Sequence, residues 1–394
     1  MVDTPMNMFS RRVLDLASRL RSGRLAITLP GGPSHTFEGA EAGPSAEIEI
    51  FRPDVGRKLL FGGDLGLAEA YMDGDWDTPD LAAFLELGAR NADALGASLT
   101  GSLPYRLVQR AIHTLRPNSR RGSRRNIAAH YDLGNEFYAR WLDPTMTYSS
   151  AIFASPDQPL EAAQENKYAH IAATAQIRPG MDVLEIGCGW GGFALHAGAN
   201  GCFVRAITIS DAQLEFARER IGRAGLDQRV TIEHRDYRHV EGTFDAIVSI
   251  EMIEAVGERY WPSYFGRVAE SLRPEGTAAI QAIVMADQFW DGYRRSVDFI
   301  QRYVFPGGML PSRSSIAEHA RATGLTVTGD TGYGLHYART LAIWNQRFQR
   351  AWPALTAMGF DERFRRLWTY YLAYCEAGFR TGRIDVRQFA LQRT

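Results

Sequence analysis

The stretch Val183-Leu184-Glu185-Ile186-Gly187-Cys188-Gly189-Trp190-Gly191-Gly192-Phe193 decides the fold. A short apolar run reaches a carboxylate and then passes into a glycine-rich segment, which reads as a buried strand turning sharply into a helix. Glycine is needed there because the backbone must turn within a few residues, and a Cβ would block the approach of a ligand. The spacing is G-x-G-x-G-G, not the G-x-G-x-x-G of a dinucleotide site, and Glu185 precedes the first glycine.

Working outward, further apolar runs recur at regular intervals: Val204 to Ile209, Val230 to Ile232 and Ala246 to Ile250. Helical stretches such as Ala212 to Ala224 lie between some of them. Alternation of this kind predicts an α/β fold with a doubly wound, parallel sheet from about residue 130 onward. Ligands of such sheets bind beyond the carboxyl ends of the strands. The ends therefore nominate Glu185, Gly187, Gly189 and Gly191 after the first strand, Thr208 and Gln213 after the second, Asp236 and Tyr237 after the third, and Ile250-Glu251 after the fourth. The second strand lacks a terminal carboxylate for ribose hydroxyls; Asp211 comes a few residues late, and Gln213 is the substitute.

Upstream, residues 1 to about 115 begin with a helical pattern, Met8 to Leu20. Alternating segments such as Ala46 to Phe51 follow, then helical patterns near Leu65 to Met72 and Leu81 to Ala89. A small α+β domain with its own core is expected. Between the two domains, 116–129, lies Arg116-Pro-Asn-Ser-Arg-Arg-Gly-Ser-Arg-Arg125, an exposed linker by composition. It reads equally as a solvated hinge or as a basic surface toward anionic headgroups.

A chain of 394 residues has room for two domains, and its 45% hydrophobic and 23% charged residues are those of a folded protein. A net charge of -1 points to no nucleic-acid partner. Cys188, Cys202 and Cys375 are odd in number and unpatterned, which argues against a disulfide framework or a zinc site and for a cytoplasmic setting. No signal peptide is read at the N-terminus, and Thr277 to Ala286, broken by Gln281, is too short to span a bilayer. No histidine spacing suits a metal.

The glycine loop with Glu185 resembles the S-adenosylmethionine loop of class I methyltransferases. A wider resemblance rests on His130-Tyr-Asp-Leu-Gly-Asn-Glu-Phe-Tyr138, Leu142-Asp-Pro-Thr-Met-Thr-Tyr-Ser149, Phe305-Pro-Gly-Gly308, His336-Tyr-Ala-Arg-Thr-Leu341 and Gly382-Arg-Ile-Asp-Val-Arg-Gln-Phe389. In that order these blocks are similar to cyclopropane-fatty-acyl-phospholipid synthases and mycolic acid cyclopropane synthases. Residues 62–71 resemble the N-terminal domain of the phospholipid-acting members.

The resemblance implies methyl transfer from S-adenosylmethionine to an alkene of an acyl chain, with Tyr148 and Ser149 beside the donor. It implies a peripheral protein at the inner face of the membrane, acting on phospholipid acyl chains, and a homodimer. It further implies a bound bicarbonate that accepts the proton lost after methyl transfer, held by four side chains. Here the cysteine of that set is Ser150, its glutamate is retained as Glu254 although the histidine beside it is Ala255, the strand histidine is Gln281, and the tyrosine is retained as Tyr337. Serine and glutamine still donate hydrogen bonds to an anion, so a tolerated variant of the site is one reading. The other is that proton removal has been re-aimed, giving a methylated or methylene chain, such as a furan fatty acid precursor, instead of a ring.

The aromatic segment from Phe289 through Tyr293, Phe299 and Tyr303 to Phe305 and Gly308 corresponds by resemblance to the wall of the acyl pocket. Besides a true cyclopropane synthase, a small-amine N-methyltransferase and a non-catalytic lipid-binding protein remain as competing readings.

Overall fold

The computed structural model describes residues 8–96, 102 and 133–393. The Arg116–Arg125 segment and His130 lie outside the described residues. In chain order the main elements are α1 (Met8–Ala17), β1 (Ser22–Thr28), β2 (Ser34–Glu38), β3 (Glu41–Ile50), α2 (Val55–Met72), β4 (Trp76–Asp77), α3 (Leu81–Arg90), α4 (Leu160–Thr174) and β5 (Asp182–Ile186). They continue with α5 (Gly192–Ala199), β6 (Phe203–Thr208), α6 (Asp211–Arg223), β7 (Val230–His234), β8 (Phe244–Ile250), α7 (Trp261–Ser271) and β9 (Leu272–Met285). Last come α8 (Arg313–Ala322), β10 (Leu325–Gly332), α9 (Gly334–Ala357), α10 (Glu362–Arg380) and β11 (Ile384–Arg393).

Two compact units emerge, and neither is continuous in sequence. The first joins the N-terminal 115 residues to 296–304 and 352–381; the second holds 116–295, 305–351 and 382–394. The second is built on a seven-stranded sheet in the order β10-β11-β9-β8-β5-β6-β7. Strands β5 to β9 pair in parallel, while β11 runs antiparallel to both β9 and β10. Strand β5 starts the fold in the middle of the sheet, with β6 on one side and β8 on the other. The chain direction reverses there, so the carboxyl ends of β5 and β8 diverge and open the crevice where such sheets take ligands. Val183, Leu184, Ala246, Ile247 and Val248 are fully buried, as expected for central strands covered by helices on both faces. Two apolar layers result. One packs α7 and α8 against β8 and β9, and the other packs α4, α5 and α6 against β5 and β6.

The first unit carries a four-stranded sheet in the order β2-β1-β3-β4. Alternation in β3 buries Ala46, Ile48 and Ile50 on one face. Arg366 of α10 ties the unit's edge together: its guanidinium donates to the carbonyls of Tyr71 and Trp76 and pairs with Asp77. Helix α2 breaks at Gly63, whose φ of 61° and ψ of -142° lie outside the helical range. The break lets Gly66 pass so near the Lys58 carbonyl that an added Cβ would sit 2.0 Å from its oxygen.

That approach gives a paired expectation. Gly66→Ala must push apart two backbone segments and lowers stability by roughly 1–3 kcal/mol. Gly88→Ala in α3, with nothing within 4 Å of the new methyl, stabilises by about 0.5–1 kcal/mol because alanine loses less backbone entropy in a helix. Thermal melts of the two variants should move in opposite directions.

Candidate active site

At the end of β5 the chain enters the glycine turn. Gly187, Gly189 and Gly191 have φ of 84°, 52° and 80°, a region that suits glycine and strains other residues. Gly189 faces open space, with nothing within 4 Å of a built Cβ. The turn is braced from outside: the Trp190 indole donates to Asn135 Oδ1 at 2.8 Å, and Arg220 donates to the Trp190 carbonyl. Glu185 is buried beneath it, and its Oε2 has no hydrogen-bond partner. Loss of hydration pushes this carboxyl up to about 8, against the pull of Lys167. An orphaned carboxylate oxygen facing a glycine cradle fits the cationic, amine-bearing end of S-adenosylmethionine. On the far side of β5, Thr208 donates to Gln213 Oε1 at 3.0 Å, and both are buried. Asp236 is bound by the Arg238 backbone and guanidinium, which hold its carboxyl below the usual range despite partial burial. Tyr237 is buried and its ring lies edge-on to Tyr264.

Opposite the glycine turn, the carboxyl end of β8 presents Glu251 with a φ of 50°, in the left-handed region. This conformation turns the side chain back into the protein, where three donors hold it. The Ser150 backbone N–H donates at 2.8 Å, Gln281 Nε2 at 2.8 Å and the Tyr337 hydroxyl at 2.7 Å. Gln281 is itself fixed by Gln388, whose amide donates to its oxygen at 2.9 Å. Burial raises the Glu251 carboxyl above its ordinary value, and the three donors and Lys167 work against that rise. Lys167, in the middle of α4, is fully buried and donates to Ser149 Oγ at 2.6 Å. Its own pKa falls to about 8 through loss of hydration, opposed by Glu251, Asp143 and Glu185.

Glu254 occupies a different place. Its Oε1 accepts from the Ile283 backbone, while Oε2 is buried with no partner. Burial and the neighbouring Glu251 charge push it up to about 8. Of the two carboxylates, Glu251 has three donors and Glu254 one, so the negative charge settles on Glu251 and the proton on Glu254.

Three of the four positions nominated for holding a free anion therefore converge on a carboxylate of the chain itself. Ser150 takes part through its backbone N–H only; its hydroxyl donates to the Ala151 carbonyl. Tyr148 stands in an aromatic wall with Tyr138, Trp141 and Trp344, at centroid distances of 5.4, 5.7 and 5.3 Å. The wall continues from Trp190, 5.2 Å from Tyr138, to Tyr337, 6.0 Å from Trp344. These rings form a continuous packed row from the glycine turn to Tyr337, which donates to Glu251.

The nominated pocket residues are divided between the two units. Phe289 lies under the Arg383 guanidinium at 4.1 Å. Tyr293 is part of the main core and its hydroxyl accepts from Leu310 N–H. Phe305 and Gly308 make the turn that follows residue 304, with Gly308 N–H donating to the Phe305 carbonyl. Phe299 and Tyr303 belong to the first unit.

Reading the sequence missed Lys167 altogether, because a lysine inside a helix is ordinarily a solvated residue. Glu251 was noted only as a strand end. Its signal was a carboxylate directly after a buried apolar strand.

A family model described as mycolic acid cyclopropane synthetase matches residues 118–389. The tuberculostearic acid methyltransferase UfaA1 of Mycobacterium tuberculosis is 41% identical over 378 residues, covering 91% of this chain and 86% of that protein. The cyclopropane-fatty-acyl-phospholipid synthase of Escherichia coli K12 is 37% identical over 362 residues, covering 88% of each. Among solved structures, the mycolic acid cyclopropane synthase CmaA1 complexed with SAH and CTAB superposes with a TM-score of 0.65 at 30% identity, covering 68% of this chain and 98% of that one. On these matches the chain belongs to the mycolic acid cyclopropane synthetase family of S-adenosylmethionine-dependent methyltransferases.

Proposed function

We propose that the protein methylates the double bond of an unsaturated fatty acyl chain of a lipid, and that Glu251 takes up the proton lost afterwards, leaving a methylated or methylene chain instead of a ring. The relatives named above for tuberculostearic acid and for cyclopropane fatty acyl phospholipid support a lipid acyl substrate. The observation that carries the finer reading is the buried Glu251 carboxylate bonded by Ser150 N–H, Gln281 and Tyr337.

When bound, S-adenosylmethionine supplies a methyl group on a cationic sulfur, where an electron pair can capture it. An isolated alkene is a weak nucleophile, so the protein must hold it in line and keep water out. The wall of Tyr138, Trp141, Tyr148 and Trp344 suits that task, and electron-rich ring faces tolerate the positive charge that appears on the chain once its π electrons have bonded to the methyl carbon. The charge then has to be quenched by loss of a proton. If the proton leaves a neighbouring chain carbon, its C–H electrons form a new double bond; if it leaves the transferred methyl, they close a ring, or form a methylene group where a chain hydride has first shifted to the cationic carbon. A free anion such as bicarbonate could move to either hydrogen. Glu251 cannot, because its backbone is fixed at the end of β8. A second anion in the same place would meet donors already engaged and a carboxylate that repels it. Lys167 keeps the acceptor ionised before the reaction, and Gln281 and Tyr337 orient it.

The reading extends to where the substrate is met. Among the described residues no helix is long and apolar enough to cross a membrane. The N-terminal domain and the Arg116–Arg125 segment are proposed to meet the anionic lipid surface from the water side, each cation there being worth about 1 kcal/mol.

Glu251→Gln keeps the shape and removes the base. Turnover should fall by roughly 10²–10⁴, while S-adenosylmethionine still raises the Tm as a bound ligand must. Unchanged turnover would remove Glu251 from the reaction. The product itself is the second measurement. With a methyl donor labelled CD3, mass spectrometry of the lipid should show an alkene still present, with three deuteriums retained in a methylated chain or two in a methylene chain; loss of one deuterium with ring formation sinks the non-cyclising reading. A third check is pH. Glu251 works only as the anion and its pKa is raised, so the acid limb of the rate profile should lie above that of an ordinary glutamate. The rate should rise with pH through that limb.

A further inference from the structure

We propose that His336 is a positioning residue for the reaction: its neutral imidazole accepts the Phe153 N–H at Nδ1, sets the segment 148–153 that offers the Ser150 N–H to Glu251, and releases that segment when Nδ1 takes a proton. The link to turnover rests on the Glu251 reading above; the contact between His336 and Phe153 does not.

Residues 150–153 are held through four consecutive backbone N–H groups. Ser150 donates to Glu251 Oε1 at 2.8 Å, Ala151 to Thr340 Oγ1 at 3.2 Å, Ile152 to the Ala163 carbonyl at 3.0 Å and Phe153 to His336 Nδ1 at 3.0 Å. Two of these acceptors, His336 and Thr340, lie one turn apart at the start of α9, and the Thr340 hydroxyl donates to the His336 carbonyl at 2.8 Å. The same turn carries Tyr337, whose hydroxyl holds the other oxygen of Glu251. One turn of helix therefore grips Glu251 directly on one side and, through two N–H groups of the segment, fixes the donor on the other. Tyr148 of the aromatic wall and Ser149, bonded by Lys167, belong to the same segment.

Among these acceptors the imidazole is the one that protonation turns into a donor. A neutral imidazole has one donor and one acceptor nitrogen, and a protonated one has two donors. Because a backbone N–H can only donate, Nδ1 must be the acceptor, and the ring carries its single proton on Nε2. A second proton would set N–H against N–H and end the bond.

The surroundings keep the ring neutral. Partial burial comes first, and the charges of Arg339 and His170 add to it, so the pKa lies below that of an ordinary histidine. Arg339, on the next turn of α9, stands 3.8 Å from the centre of the Phe153 ring and donates to the Ser155 and Gln158 carbonyls. His170 comes from α4. Between the two histidines lies the Tyr333 ring, edge-on to His336 at 5.7 Å and to His170 at 6.0 Å, and burial keeps its phenol neutral. From β11, Asp385 reaches the same turn at Gly334, but it is paired with Arg387. The Phe153 ring fixes the imidazole plane as well: the two rings are within 5° of parallel, with centroids 6.3 Å apart.

The test uses the full chain with His336→Asn, whose Oδ1 takes the place of Nδ1 and cannot be protonated near neutral pH, and His336→Ala, which has no acceptor. Thermal melts certify that each variant folds. In 15N spectra of the histidine-labelled protein at pH 7.5, the ring signal lost in His336→Asn should report a proton on Nε2 only. As pH falls through the His336 midpoint, hydrogen exchange of peptides containing Phe153, corrected for the intrinsic effect of pH, should quicken roughly tenfold in the parent. It should stay slow in His336→Asn and be fast at every pH in His336→Ala. The kcat of His336→Ala should fall by about 10–100-fold, and His336→Asn should recover most of that loss. The acid limb of the parent's rate profile should be steeper than that of His336→Asn, which has lost one of two protonations. A proton on Nδ1 at pH 7.5, exchange that ignores the state of His336, or equal kcat in the two variants would overturn the proposal. Glu251→Gln is run alongside. If it leaves turnover unchanged while exchange and kcat still follow His336, the base assignment fails and the positioning role stands.

Discussion

The candidate site is organised by one buried carboxylate. Glu251 sits at the carboxyl end of β8 in a left-handed conformation, and its carboxylate is held by an N–H, an amide and a phenol from three separate segments of the chain. Taking a carboxylate out of water is costly unless donors and a counter-charge replace the lost hydration. Much of the neighbouring architecture can be understood as that replacement. Residues 147–151 must pass close to β8 to offer the Ser150 N–H. Strand β9 must place Gln281 opposite, and β11 must bring Gln388 to fix it. The start of α9 must supply Tyr337. Lys167 then neutralises the site from α4 at the cost of its own full burial.

This arrangement ties the chemistry to the topology of the sheet. Because β5 and β8 are neighbours that lead in opposite directions, their ends carry Glu185 and Glu251 on the two sides of one crevice. Glu185 lies under the glycine turn and keeps an unbonded oxygen, whereas Glu251 has its donors in place. Two glutamates near the ends of neighbouring strands thus have different environments, and on the proposed reading environment divides their roles: one suits a cationic methyl donor, the other a proton. The aromatic wall of Tyr138, Trp141, Tyr148 and Trp344 offers electron-rich ring faces, which on the proposed reading tolerate a cation on an acyl chain.

The second unit shows how far a local pattern can be trusted. The runs at 183–186, 204–209, 230–232 and 246–250 were legible as strands because central parallel strands are apolar on both faces, and β5 to β8 lie at those places. The glycine turn was legible because few residues other than glycine tolerate positive φ. The four-residue set resembling an anion site was legible only as positions. That Ser150, Gln281 and Tyr337 grip a glutamate was hidden, since they lie 101, 30 and 86 residues from it. Lys167 was hidden for the opposite reason: its helix gives no local sign that its middle faces a buried cluster of acids.

By itself, then, the sequence determined the sheet, the donor loop and the family, because each depends on local backbone geometry or on a pattern of short blocks. The tertiary structure alone decided which groups meet. It assigned 296–304 and 352–381 to the N-terminal unit, split the aromatic segment from 289 to 308 between two units, and turned Glu251 inward onto its donors. Hydrogen bonds between distant segments depend on how strands and helices stack in space, and no short window of residues encodes that.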